Sequence, residues 1–129
     1  MPVRVQWDDP DHTILLYTLD CTWTWDQLFE AADKGIAMTA SNSHGIYVIV
    51  NYQGTQGLPP KAFAQFNRIT RLMNSQTKLV VIAGGGTLFL SLFNFFLLIA
   101  GNAAPKYCWV SDLDKAYAMV AKRRVPSLS

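Results

Sequence analysis

From Leu79 to Ala104 the chain runs 26 residues without a charged side chain. A stretch of that length can cross a bilayer as one helix, so it forces a choice about the whole fold. Gly84-Gly85-Gly86 stands inside it and would interrupt a continuous helix. The residues before the glycines, Leu79-Val80-Val81-Ile82-Ala83, have the length and β-branching of a strand and match Ile46–Val50 in kind. Ser91 and Asn94 would sit poorly in lipid. The stretch therefore reads as strand, glycine turn and apolar helix (Leu88–Ala100), with membrane association as the alternative that hydropathy alone supports. Two continuously apolar strands in one short chain predict a parallel sheet covered on both faces.

The remaining pattern supplies the other elements. Val3–Trp7 alternates apolar and polar, Asp8-Asp9-Pro10-Asp11 reads as a turn, and Ile14–Leu19 is β-rich, which together predict an antiparallel hairpin. Thr24 with Gln27 three residues later is a capping box, followed at helical spacing by Trp25, Leu28, Phe29, Ala32 and Ile36. After the turn-rich segment from Asn51 to Pro60, Phe63, Phe66, Ile69 and Met73 form a second helical stripe. Tyr107–Val110 is a last strand, and Ser111 is placed to cap a final helix. The order ββαβαβαβα predicts an α/β fold, a mostly parallel five-stranded sheet with helices packed on it. At 129 residues, 50% of them hydrophobic, the chain is expected to be a single domain over 1–129 with its core at about 3–124. That apolar fraction excludes intrinsic disorder.

Charge is segregated along the chain. Residues 1–33 hold seven acids against one base, 34–111 hold six bases and no acid, and 112–129 hold two acids and four bases. The plain expectation is that the first two regions lie side by side and neutralise each other. The amino end, MPVRVQWDDPDH, has no apolar signal core, which predicts a cytoplasmic protein with reduced thiols.

Catalytic chemistry is not legible. His12 and His44 lie in a turn and a loop without a cysteine at ligand spacing, so no metal is expected. Cys21 and Cys108 read as small buried thiols. There is no Gly-x-Ser-x-Gly elbow and no carboxylate pair placed for acid–base work. Gly84-Gly85-Gly86-Thr87 at a strand-to-helix junction is the strongest small-ligand signal, because glycines let backbone N–H groups face an anion. It matches neither dinucleotide nor Walker loops, and a tight turn explains it equally. Trp7, Trp23, Trp25 and Trp109 read as core rather than as base-stacking groups. Lys61, Arg68 and Arg71 read as a solvated face, so no nucleic acid and no cofactor is expected.

The Trp-Thr-Trp-Asp-x-Leu helix start, a buried strand, a Gly-Leu-Pro loop, the Val-Val-Ile strand, a Phe-rich helix and the short Asp-Leu-Asp-Lys-Ala helix form a recurring order. This resembles the SpoIIAA-like branch of the STAS domains over about residues 3–124, through Trp25, Leu58, Pro59, Asn74 and Ala116 among others. Antagonists of that family carry a phosphorylatable Ser in an Asp-Ser-Ser-Gly-Leu loop after the central strand. The corresponding stretch here runs from Asn51 to Leu58. Gly57 and Leu58 match, Thr55 is the hydroxyl present, and the Asp and both Ser are missing. The resemblance implies a non-enzymatic regulatory or protein-interaction module with a possible switch loop at Asn51, Thr55, Gly57 and Leu58. Lipid-transfer domains of similar fold make an apolar-ligand or lipid-binding carrier the alternative.

The helix from Leu88 carries large apolar side chains on almost every side, more than one sheet can cover. Leaving them in water would create a patch beyond what monomers usually show. A homodimer with Leu88, Phe89, Leu92, Phe93 and Phe96 in its interface is the expected remedy, with an unidentified protein partner and a small apolar ligand as further expectations.

Overall fold

The computed structural model describes residues 3–20, 23–40, 44–52, 65, 68 and 77–124. Five strands form one sheet in the order of the chain: β1 (Val3–Trp7), β2 (Ile14–Leu19), β3 (Ile46–Asn51), β4 (Thr77–Ala83) and β5 (Tyr107–Val110). β1 runs antiparallel to β2, from Val3 opposite Leu19 to Trp7 opposite Leu15. The pairs β2–β3, β3–β4 and β4–β5 are parallel. The described helices are α1 (Trp25–Thr39), α2 (Gly86–Ala100) and α3 (Leu113–Arg124), and a 3-10 segment, Gly101–Lys106, follows α2. Gln65 and Arg68 are helical; the rest of the predicted stripe at Phe63, Phe66, Ile69 and Met73 lies outside the described residues.

Strand alternation divides the interior into two layers. One holds Val5, Leu15, Tyr17, Ile46, Val80 and Tyr107, covered by Trp25 and Phe29 of α1 and by Phe93 and Phe96 of α2. The other holds Ile14, Leu16, Ile49, Leu79, Val81 and Val110, covered by Ala116 and Val120 of α3. Burying a side chain such as Val81 or Ile49, both fully inaccessible, is worth about 1.5–3 kcal/mol. β3 and β4 are adjacent and parallel as expected, although Val48, Val50 and Ile82 are only half-buried. β1 is an edge strand with Val3 and Val5 turned inward and Arg4 and Gln6 outward.

Local chemistry explains the boundaries. The β1–β2 turn is built on Asp9, whose carboxylate accepts from the Thr13 and Ile14 N–H groups at 2.9 Å each and from the Thr13 hydroxyl. The Thr24 box is formed: Thr24 Oγ1 accepts from Gln27 N–H at 3.2 Å, and Gln27 Oε1 accepts from Thr24 N–H at 2.9 Å. Ile36 does not join the buried stripe of α1 and is 36% exposed. The contact there belongs to Gly35, whose missing side chain lets α1 lie against the Tyr17 ring. β4 starts at Thr77 rather than Leu79, because the exposed Lys78 masks a strand that continues through it. The final helix is capped by Asp112, not Ser111: Asp112 Oδ1 accepts from Lys115 N–H at 2.9 Å. Ser111 instead accepts from Lys115 Nζ at 2.9 Å.

Candidate functional site

The parallel strands step from β2 to β5 in one direction, and α1 and α2 lie on the same face. Doubly wound sheets bind ligands where the strand order reverses. The order of the described strands contains no reversal, so among the described residues there is no crevice of that kind at the glycine turn. Gly84 is instead a tie between neighbouring strands. Its N–H donates to Val110 O at 3.1 Å, and its carbonyl accepts from the Trp109 indole N–H at 2.7 Å. Gly84 (φ 105°) and Gly85 (φ 92°) occupy backbone conformations that other residues adopt at a cost, which accounts for two of the glycines without a ligand. Gly86 opens α2, and Thr87 follows within it.

At the neighbouring strand end, Asn51 pairs with Ala83 and Thr18 as the last residue of β3. Tyr52 continues the ladder, its N–H donating to Ala83 O at 2.8 Å, and its buried ring meets Trp23 edge-on at 6.1 Å. Thr55, Gly57 and Leu58 lie outside the described residues. Trp23 also meets Trp25 edge-on at 4.9 Å, and both are core residues. Arg68 lies over the Phe29 ring at 3.9 Å, which gives this cation a packing role on α1.

The helix expected to form an interface divides differently from its sequence reading. Phe93 and Phe96 are 6% and 5% exposed and belong to the chain's own core, so they are not available to a second copy. Their rings lie 6.3 Å apart, and Phe96 meets Tyr107 edge-on at 4.9 Å. The side chains of Leu88, Phe89 and Leu92 lie outside the described set. The outward face consists of Ser91, Asn94, Phe95 and Leu98, with Phe95 48% and Leu98 80% exposed. Leu98 is not among the residues expected at the interface. The sequence signal for it is its spacing, seven positions after Ser91 and four after Asn94.

Two tyrosines bracket the sheet. Tyr107 sits at the start of β5 in the layer beneath α2, and its hydroxyl is buried with no hydrogen-bond partner. Burial pushes its pKa up to about 12. On the opposite face Tyr117 of α3 is also pushed up to about 12, by burial and then by the hydrogen bond it donates to Asp8 and the charge of that carboxylate. Cys108 is half-buried beside Met119, its Sγ 2.9 Å from Sδ, and burial raises its thiol pKa against the opposing pull of Arg123. The His12 ring stacks parallel on Trp7 at 4.7 Å, and His44 Nε2 lies 3.0 Å from the His12 carbonyl oxygen. Among the described residues no cluster of three or more His, Cys, Asp or Glu side chains could hold a metal ion.

No described helix is long and apolar enough to cross a membrane. The 15 residues of α2 rise about 22 Å, short of a hydrocarbon core of about 30 Å. Fold and site together define the class as an open-sheet α/β domain with two helix-covered faces. A scan against protein-family models, a search of curated proteins and a search of solved structures each find no match to this chain.

Proposed function

We propose that this chain is a non-enzymatic, cytoplasmic protein-interaction or regulatory module of the STAS type, SpoIIAA-like branch, which works as a homodimer through the outward face of α2. The observation that carries the interaction reading is Leu98, 80% exposed beside the half-exposed Phe95 on a helix that has no charge. Adjacent large apolar side chains on an uncharged helix face support a contact there, because a two-fold partner would cover both copies at once. The STAS reading draws its support from the element order that carries the sequence resemblance and that recurs in the described residues: the hairpin, then parallel strands added one after another. Sedimentation velocity tests the reading. The unmodified chain should sediment as a dimer and the Phe95→Ser/Leu98→Ser variant as a folded monomer. A monomeric unmodified chain at high concentration would count against it.

A second reading, an apolar-ligand carrier, is favoured by the way α2 is mounted. Gly84 and Gly85 precede it and Gly101 (φ 57°) follows it, all at positive φ, so a helix lying on an apolar layer is bounded at both ends by glycine joints.

A further inference from the structure

We propose that Tyr107 is the polar anchor of an internal binding site between α2 and β5, and that the site takes an uncharged apolar molecule bearing one carbonyl oxygen. The inference rests on the carrier reading and gives it a residue and a ligand chemistry. Its starting point is the Tyr107 hydroxyl, which among the described residues is the one buried side-chain polar atom without a partner. A phenylalanine would fill the same place: Tyr107 packs edge-on with Phe96, and its neighbours in the layer beneath α2 include Phe93, Val80 and Leu97. Packing thus accounts for the ring and not for the oxygen. A buried hydroxyl that makes no bond has lost its water for no return, and such groups call for an explanation.

The surroundings define what could satisfy it. The described side chains that share this buried layer with Tyr107, among them Phe93, Phe96, Val80 and Leu97, are uncharged, so an ionised head group buried among them would find no counter-charge there. The phenol is neutral and a better donor than acceptor, which selects an uncharged acceptor such as a carbonyl oxygen over an ammonium, which can only donate. Entry requires α2 to move. The glycine joints permit this, and at Gly101 even an added Cβ would meet nothing within 4 Å. Lifting the helix about Gly85 and Gly101, with Gly84 held to β5, would carry Phe96 off the Tyr107 ring and admit an aliphatic chain in its place.

The test compares 2-octanone with octane, identical in chain length and differing in the acceptor, by titration into the full chain and into Tyr107→Phe. The unmodified chain should bind 2-octanone saturably, and Tyr107→Phe should bind it about tenfold more weakly. Octane, which has no acceptor, should bind the two proteins equally. Without ligand, Tyr107→Phe should melt no lower than the unmodified chain, because the hydroxyl makes no bond there to lose. If both proteins bind both compounds equally, the carrier reading stands and Tyr107 is not the anchor. If neither compound binds saturably, the anchor and the carrier reading fall together. A Tyr107→Phe variant that melts several degrees lower would show the hydroxyl already bonded in the free protein and would overturn the proposal.

Discussion

Replacing Gly35 by alanine probes the closest approach between α1 and the sheet. Gly35 lies inside α1, where alanine ordinarily gains about 1 kcal/mol over glycine by restricting the unfolded chain. Here the added Cβ would stand 2.1 Å from Tyr17 Oη and 3.1 Å from both Leu15 Cδ2 and Tyr17 Cζ. The Tyr17 ring is buried in the layer beneath α1 and its hydroxyl pKa is raised far above the ordinary value by that burial, with Asp33 adding to it. The ring must turn within a packed core or the helix must lift, and overpacking of this kind costs about 1–3 kcal/mol. Overpacking therefore outweighs propensity, with a net loss of about 1 kcal/mol and a fall in Tm of about 4 °C. Urea and thermal denaturation would measure it. Gly35→Ala in a Tyr17→Phe background should recover part of the loss, since the nearest oxygen is gone while the 3.1 Å neighbours remain. A Gly35→Ala variant more stable than the parent by about 1 kcal/mol, as at an exposed helix glycine, would refute the close approach.

Thr24→Ala removes the hydroxyl that caps α1 and should cost about 1 kcal/mol in thermal unfolding, with no change in oligomeric state. Val81→Asp, at a fully inaccessible position, should prevent folding, whereas Val48→Asp, at a half-buried one, should leave a smaller folded fraction rather than none; circular dichroism would rank them. Tyr107 and Tyr117 have folded pKa values near 12 against about 10 when unfolded. Their neutral forms are favoured in the fold, so this contribution to stability is complete below pH ~10 and is lost as pH rises from ~10 to ~12. Tyrosinate absorbance should then rise together with loss of near-ultraviolet circular dichroism; ionisation of all five tyrosines of a still-folded chain would contradict the sign.

Periodicity carried the sheet. The hairpin, the two apolar strands and the Thr24–Gln27 box are each set by residues close in the chain, where turn chemistry, alternation and capping act. The facing of α2 was less legible, because Phe93, Phe95 and Phe96 are chemically the same and a helix apolar on nearly every side offers no contrast. The structure separates them: Phe95 and Leu98 lie outward with Ser91 and Asn94, while Phe93 and Phe96 are buried. Ile36 misled for a different reason: the residue that contacts the sheet is its neighbour Gly35, and a missing side chain leaves no mark in an apolar pattern. Lys78 hid the start of β4 in the same way that a single charge hides any strand. The orphaned Tyr107 hydroxyl could not be read at all, since an aromatic at the head of a strand is ordinary and only its surroundings make the oxygen unusual.

In the proposed homodimer, α2 presents Phe95 and Leu98 to a second copy. Helices packed face to face lie about 8–10 Å apart, so equivalent positions on the two copies come within reach of a short bifunctional maleimide. In a background with Cys21→Ser and Cys108→Ser, a cysteine placed at Leu98 should yield a covalent dimer. A cysteine at the exposed Ala118 of α3, on the other face of the sheet, should not. A Leu98→Cys chain that stays monomeric under the reagent, or an Ala118→Cys chain that links as readily, would contradict the claim.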